Sequence, residues 1–201
     1  MIRAVLFDLD GVLVDTFEVW FAVQNEIAAA NGYPEISHQQ MKAAWGQGVD
    51  EDTRTFFPGM TVSDLEMLLD EAFPRHLGKL ETLSGALEVL AGLAAREVPF
   101  CIVTNTPAPL ARVILTAAGL EARELVGGTD VGHPKPAPDM VLEACRRLGV
   151  DPVEAMMIGD SDYDQDAARA AGCGFIGFRR DGETRIDALE ELPAVLAERL
   201  G

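Results

Sequence analysis

Short continuous apolar runs alternate along the chain with stretches in which apolar residues recur at helical spacing. A run of about four apolar residues between polar or small residues is typical of a buried strand. Four runs have this length and composition, and a fifth is weaker: AVLF before Asp8, FCIV before Thr104, AMMI before Gly159, FIGF from Phe175, and ELVGG around Leu125.

Helical patterns fill the intervals between these predicted strands. Their apolar residues stand at positions i, i+3, i+4 and i+7, which places them on one face of a helix. Strands that alternate with helices predict a parallel sheet covered on both faces, so we expect a Rossmann-like, doubly wound α/β fold. Three such helical sets are Leu87, Leu90, Ala91 and Ala94, then Leu110, Val113, Ile114 and Ala117, and then Val141, Ala144, Cys145 and Leu148.

One long segment, from about Phe17 to Leu80, breaks this alternation. It contains no convincing strand, but it contains helical patterns separated by NGYP, GQG and FPGM, which are typical of turns. The segment is therefore predicted to be a helical insertion after the first strand. We expect an α/β core formed by residues 1–15 and 81–201, and an all-helical domain formed by residues 16–80.

Composition and charge indicate which classes of molecule the chain can bind. The 201 residues, 48% of them hydrophobic, can bury one good core and a small second one. The formal net charge of -17 argues against a nucleic-acid partner, because phosphate backbones are held by clustered Lys and Arg. A few cations, or a metal ion, can still reverse the field locally and let such a chain bind a phosphorylated small molecule.

Other features of the sequence predict the compartment. No apolar run is long enough to span a bilayer, and the N-terminal MIRAVLF lacks the apolar region and cleavage site of a signal peptide. Cys101, Cys145 and Cys173 lie in apolar surroundings without metal-ligand spacing, so they are interpreted as core residues of a reduced cytosol. We expect a cytoplasmic monomer or small homo-oligomer without a membrane partner.

Polar side chains follow the predicted strands, at the edge where parallel α/β sheets bind ligands. The acids among them would repel one another, and also a phosphate group, unless a divalent cation lay between them. Mg²⁺ takes such hard oxygen ligands, and without a His or Cys cluster zinc has little to favour it. The residues are Asp8 and Asp10, then Thr104 and Asn105, then Asp160, Asp162 and Asp164 in GDSDYD, and Lys135 in HPKPAPD.

Four short motifs carry a resemblance to a known family. DLDGVLVDT, TN, KPAPD and GDSDYD occur in this order at the predicted strand ends. They resemble the four motifs of the haloacid dehalogenase-like hydrolase superfamily, and the helical insertion resembles the cap of its helical-cap subgroup. The resemblance covers essentially the whole chain. Within the subgroup, GGTDVGHPKPAPD and IGDSDYDQDAARAAG look most like phosphoglycolate phosphatases and their relatives.

The resemblance implies a reaction and a metal ion. Asp8 would attack phosphorus and become an aspartyl phosphate. Asp10 would protonate the leaving alkoxide and then activate water, while its backbone carbonyl would bind the metal. Asp8, Asp10, Asp160 and Asp164 would together surround Mg²⁺, Asp164 through a water or another residue.

The resemblance also implies a phosphate site. The hydroxyl of Thr104 and the backbone N–H of Asn105 would donate to phosphoryl oxygens. Lys135 would neutralise the phosphoryl group and restrain Asp8 during the reaction. Gly11 would let the backbone turn closely past the site.

Several nearby residues fit structural roles. Asp15 and Asp162 come after predicted strands, where a lone acid is most often a helix cap or a turn residue. Asp15 stands just before the first helix of the insertion, and Thr16 is an equally good N-cap. Asp139 lies in the first turn of a helix, where the helix dipole favours an acid. Trp20 continues an apolar helix stripe and is interpreted as a packing residue.

The helical insertion is expected to choose the substrate. Trp45 and the GQG loop, with Gly48, are candidates for a lid over the substrate, because glycine permits close backbone approach. Arg54 is one of the few bases there that could hold an anionic substrate tail.

The leading hypothesis is a Mg²⁺-dependent phosphatase that hydrolyses a small phosphorylated metabolite, with phosphoglycolate as the first substrate to try. A phosphomutase resembling β-phosphoglucomutase would use the same pair, Asp8 and Asp10, but its relatives usually have two acids where this chain has Gly159 and Asp160. A haloacid dehalogenase would lack the acid that Asp10 supplies. A non-catalytic phosphate-binding protein on the same fold is the remaining alternative.

Overall fold

The computed structural model describes residues 1–181, 184–197 and Arg199. Within these residues, one parallel sheet has the order β5-β4-β1-β6-β7-β8, and β2 pairs with β3 in a separate antiparallel ribbon. In chain order the strands are β1 (Ala4–Phe7), β2 (Val14–Asp15), β3 (Glu81–Thr82), β4 (Phe100–Thr104), β5 (Glu124–Gly127), β6 (Ala155–Gly159), β7 (Gly174–Phe178) and β8 (Arg185–Ile186).

Helices connect the strands and cover the sheet. In chain order they are α1 (Phe17–Asn31), α2 (His38–Ala43), α3 (Val49–Thr55), α4 (Val62–Ala72), α5 (Ala86–Ala95), α6 (Ala108–Ala117), α7 (Asp139–Leu148), α8 (Asp162–Ala171) and α9 (Leu192–Ala197). Short 3-10 helices span Phe73–Lys79, Gly128–Asp130, Pro152–Glu154 and Leu189–Glu191.

The central strand, β1, is buried on both faces. Val5 and Phe7 pack into one apolar core, and Leu6 packs into a second core on the opposite side of the sheet. This alternation follows from the two-residue period of a strand. The predicted doubly wound α/β fold is therefore confirmed, and all five predicted strands are present in the parallel sheet.

The strand order places the ligand-binding edge. β1 pairs with β4 on one side and with β6 on the other. The later strands β4 and β5 therefore lie on one side of β1, and β6, β7 and β8 lie on the other, so the strand order reverses at β1. In open α/β sheets, a crevice forms outside the carboxyl ends of the strands at such a point. The residues that follow β1, β4 and β6 are consequently brought to one place.

Residues 17–79, called the helical segment below, contain α1 to α4 and the 3-10 helix Phe73–Lys79. The β2–β3 ribbon joins the two ends of this segment, with Val14 opposite Thr82. Apolar side chains including Trp20, Leu65 and Phe73 are buried within it, and the Trp20 and Phe73 rings meet edge to face at 4.9 Å. This confirms Trp20 as a packing residue.

The three cysteines are free and buried, which confirms their interpretation as core residues. Burial raises the pKa of the Cys101 and Cys173 thiols to about 12. None of the helices in the described ranges has the length and apolar content needed to cross a membrane.

Gly159 at the end of β6 provides a test of the packing. A Cβ atom there would overlap Asp164 Cβ, whereas one on Gly92 in α5 would meet no atom of the described residues within 4 Å. We expect Gly159→Ala to lower the free energy of unfolding by about 1–3 kcal/mol, as overpacked cores do. Gly92→Ala should raise it by about 0.5–1 kcal/mol. Urea unfolding measures both, and equal effects would contradict the packing described.

Candidate active site

Asp8 follows β1 and is buried at the carboxyl edge of the sheet. Its backbone N–H donates to the Ile158 carbonyl at 2.9 Å and so extends the pairing of β1 with β6. Lys135, in the loop before α7, donates from Nζ to Asp8 Oδ1 at 2.8 Å. The structure thus brings together two of the predicted site residues that lie far apart in the sequence.

Lys135 is held by three acceptors. Besides Asp8, its ammonium donates to the Val103 carbonyl at 2.8 Å and to Asp164 Oδ1 at 2.6 Å, so each of its N–H groups has a partner. The side chain is only 2% exposed. Burial alone would lower the pKa of Lys135, but the carboxylates of Asp164 and Asp8 outweigh burial and raise it. Lys135 is therefore a fixed positive charge.

Three acids form a cluster beside this ammonium. One carboxylate oxygen each from Asp8, Asp160 and Asp164 lies within 4.8 Å of the others. Asp164 also accepts a hydrogen bond from the Ser161 hydroxyl at 2.5 Å. Asp160 Oδ2 accepts from the Trp45 indole at 3.1 Å, but the buried Oδ1 of Asp160 has no hydrogen-bond partner among the residues that the structure describes. Such an atom is rare in folded proteins and requires an explanation.

A divalent cation fits this cluster. Burial, and then the charge of Asp164, raise the pKa of Asp8 well above its usual value against the opposing effect of Lys135. The same two causes raise the pKa of Asp160 to about 7. A cation would favour the charged forms and give Asp160 Oδ1 a partner. Because every donor is a carboxylate oxygen, the chemistry suits a hard ion such as Mg²⁺.

Gly11 is packed against the cluster. It has a φ of +85°, and a Cβ atom there would overlap Asp160 Oδ2. The position therefore requires glycine for its backbone conformation and for the close approach to the acids.

The carboxylate of Asp10 does not join this acidic cluster. Its Oδ1 accepts from the Thr16 hydroxyl at 2.6 Å and from the Trp20 indole at 3.0 Å. Its Oδ2 accepts from the Thr104 hydroxyl at 3.2 Å and from the Thr106 hydroxyl at 2.8 Å. Four donors from two stretches of the chain fix the orientation of this side chain.

Asn105 joins separate parts of the site. Its amide nitrogen donates to the Gly46 carbonyl at 2.8 Å and to the Lys135 carbonyl at 2.9 Å, and its Oδ1 accepts from the Lys135 backbone N–H at 2.9 Å. The side chain thereby ties the end of β4 both to the lysine loop and to the helical segment.

These side chains surround a cavity of about 50 Å³ between the sheet edge and the helical segment. A cavity of this volume has room for a few water molecules or a small anion. The helical segment contributes Trp20, Ala44, Trp45, Gly46, Gln47, Val49 and Asp52, and the rest of the lining is Asp8, Asp10, Thr104, Asn105, Thr106, Pro107 and Lys135.

The residues predicted to form the lid have different positions. Trp45 lies over the acids and lines the cavity. Gly48 is next to the lining residue Val49, and a Cβ atom on it would meet Asp50 at 3.1 Å. The structure does not bring Arg54 to the cavity, because its side chain is 66% exposed and pairs with Asp50 at 3.0 Å.

The acids interpreted as structural have local partners. Thr16 occupies the N-cap position of α1, but its hydroxyl donates to Asp10 rather than capping the helix. Asp15 instead accepts from the Phe17 backbone N–H at 3.1 Å. Asp162 is 86% exposed and pairs with Arg180. Asp139 lies in the first turn of α7.

Comparisons with known proteins agree on the family. The family described as haloacid dehalogenase-like hydrolase matches residues 5–178. A phosphoglycolate phosphatase of Xylella fastidiosa is 34% identical over 209 residues, covering 97% of this chain and 91% of the relative. An N-acetylmuramic acid 6-phosphate phosphatase of Pseudomonas aeruginosa is 32% identical, covering 85% and 79%. The crystal structure of CbbY from Rhodobacter sphaeroides with phosphate has a TM-score of 0.82 at 25% identity, covering 96% of each chain.

Lys135 should be essential for stability. Lys135→Met leaves two buried carboxylates without their cation. Breaking a buried ion pair in this way costs about 3–5 kcal/mol, so we expect the free energy of unfolding to fall by that amount. Urea unfolding at pH 7 in the presence of a chelator measures the change. Lys42→Met, at an exposed lysine, is the control and should stay within about 0.5 kcal/mol of the wild type. A loss of similar size in both variants would contradict the structural role of Lys135.

Proposed function

The chain belongs to the haloacid dehalogenase-like hydrolases and is a phosphoric monoester hydrolase, and we propose that it works by a Mg²⁺-dependent mechanism through an aspartyl phosphate. The observation that carries the proposal is the contact of Lys135 Nζ with Asp8 at 2.8 Å beside a cavity that Asp10 also lines. A nucleophile, an acid–base group and a fixed cation are then available in one place.

In the proposed first step, a carboxylate oxygen of Asp8 forms a bond to phosphorus while the bond from phosphorus to the substrate alcohol oxygen breaks. The Lys135 ammonium keeps the Asp8 carboxylate oriented and balances charge on the phosphoryl oxygens. Thr104 and Asn105 line the same cavity, which supports their role as donors to those oxygens.

Asp10 would transfer protons in both steps. It first gives a proton to the leaving alcohol oxygen, and then takes one from the water that attacks the phosphorus of the aspartyl phosphate. Its hydrogen bonds support both protonation states, because the hydroxyls of Thr16, Thr104 and Thr106 can accept as well as donate.

Asp8 and Asp160 would hold Mg²⁺ directly, with the backbone carbonyl of Asp10, and Asp164 would support them through Lys135 and Ser161. When bound, Mg²⁺ would neutralise charge on the phosphoryl oxygens and lessen the repulsion between the acids. Four carboxylates and one ammonium otherwise give this edge of the sheet a formal charge of 1 - 4 = -3.

We propose that residues 16–80 act as a cap domain on a core of residues 1–15 and 81–201. The hydrogen bonds of Trp45 and Gly46 to the sheet side support a cap that closes over a bound substrate and excludes water.

The compartment and the substrate class follow from other features. The buried free cysteines support a reducing compartment, the cytoplasm. The small cavity favours a small phosphomonoester. Phosphoglycolate is the first compound to test because several relatives are phosphoglycolate phosphatases.

Phosphate release tests the mechanism. We expect the wild type to release inorganic phosphate from at least one of phosphoglycolate, N-acetylmuramic acid 6-phosphate and a simple aryl phosphate. Asp8→Asn should lower kcat by at least about 10³-fold, because the amide cannot form the acyl phosphate. Asp15→Asn, at an exposed acid outside the site, is the control and should retain activity. Normal turnover in Asp8→Asn would overturn the assignment.

Metal binding can be tested without turnover. A ligand at about 100 times its Kd adds roughly 2.7 kcal/mol of stability, which is about 5–10 °C in Tm for a chain of this size. We expect such a rise on adding Mg²⁺ to chelator-treated protein, together with loss of activity on chelation. Asp160→Asn should remove most of the rise, and Asp162→Asn, at the exposed neighbour, should keep it. An equal rise in both variants would count against the cluster.

A further inference from the structure

Asp52 is a buried acid that the helical segment contributes to the lining of the cavity. It lies in α3, is 8% exposed, and lines the same cavity as Asp8, Asp10 and Lys135. It is the last of three consecutive acids, DED, and the first of them, Asp50, has a side chain that is 44% exposed. A buried carboxylate without a cation is costly, so its placement calls for a reason.

Two amides are the partners of this carboxylate. Gln24 donates from Nε2 to Asp52 Oδ2 at 2.8 Å, and Gln47 donates from Nε2 to Asp52 Oδ1 at 2.5 Å. Burial raises the pKa of Asp52 to about 7, against the opposing effect of the Gln47 and Gln24 hydrogen bonds. The Oε1 atom of Gln24 is also buried and lacks a hydrogen-bond partner within the described part of the chain. The region therefore has unused capacity to accept hydrogen bonds.

No positive charge balances Asp52 in the part of the chain that the structure describes. Among the described residues lining the cavity, Lys135 is the single cation, and its three N–H groups are all engaged at the sheet edge. Arg54 is one turn from Asp50 and is paired with it at the surface. The end of the cavity formed by the helical segment is thus negative and rich in acceptors.

We propose that Asp52 is a specificity-determining residue that selects phosphomonoesters whose organic part carries hydroxyl or ammonium donors and rejects those that end in a carboxylate. The inference rests on the proposed phosphatase function and narrows its substrate class. A donor on the substrate would bind the acceptors of Asp52 and give the buried charge a partner. A carboxylate in the same place would face a like charge in a site of low dielectric.

Three small phosphates with the same CH₂–O–phosphate unit test this selection. They are 2-phosphoglycolate, 2-hydroxyethyl phosphate and 2-aminoethyl phosphate, which differ in carrying a carboxylate, a hydroxymethyl or an aminomethyl group. We expect the wild type to have a kcat/KM for the hydroxyl and amine compounds at least about tenfold above that for phosphoglycolate, with KM carrying most of the difference.

The matched variants are Asp52→Asn and Asp50→Asn. Asp52→Asn removes the charge but keeps the shape, and its amide oxygen can still accept from one of the two glutamines. It should shift the ratio of kcat/KM by at least about tenfold toward phosphoglycolate. Asp50→Asn removes one negative charge from the same helix at an exposed site and should leave the ratio unchanged. Asp52→Ser repeats the test should the Asn variant fold poorly by circular dichroism.

An aryl phosphate separates the possible failures. If the wild type hydrolyses neither it nor any of the three compounds, the proposed phosphatase function is overturned, and the inference with it. If it hydrolyses them but the ratio is the same in wild type and Asp52 variants, the inference alone is overturned. A uniform loss for all substrates would assign Asp52 a merely structural role and also overturn the inference.

Discussion

The buried contact of one ammonium with two carboxylates organises the whole site. Lys135 reaches Asp8 after β1, Asp164 in α8 and the Val103 carbonyl in β4, so one side chain links three parts of the fold. In a buried environment each of these bonds is strong when made and costly when lost. The loops that follow neighbouring strands are therefore held in one relative position, and the remaining acids are arranged around that fixed charge.

The fold could be predicted because its central elements have a strong local pattern. The apolar runs before Asp8, Thr104 and Gly159 form strands buried on both faces, which read as continuous apolar sequence. The strands β2, β3 and β8 were not predicted. Each has two residues and forms only because tertiary structure brings a partner alongside, so no periodic pattern could reveal them.

The site residues on the sheet side could also be predicted from the sequence, because acids at the carboxyl ends of parallel strands must meet at one edge. The contacts that support these residues could not be predicted. Trp20 was predicted to be a packing residue, but its indole N–H also donates to Asp10, and so does the Thr106 hydroxyl from the loop after β4. Asp52 accepts a hydrogen bond from Gln24, which lies 28 positions away, and no local spacing in the sequence indicates this contact. Side chains that stabilise a site across elements depend on tertiary geometry, whereas the groups they hold follow from motif and topology.

The hydrogen bonds between the helical segment and the sheet have a thermodynamic consequence. The Asn105 amide bonds to Gly46, the Trp45 indole to Asp160, and the Tyr163 hydroxyl to Glu51 at 2.7 Å. In the proposed closure of the cap, entry of a substrate opens these bonds, and opening them also frees Asn105 and Asp160 from neighbours that orient them. Under that proposal, substrate entry and the ordering of the catalytic side chains are one equilibrium, so the active site is reassembled around each molecule that enters.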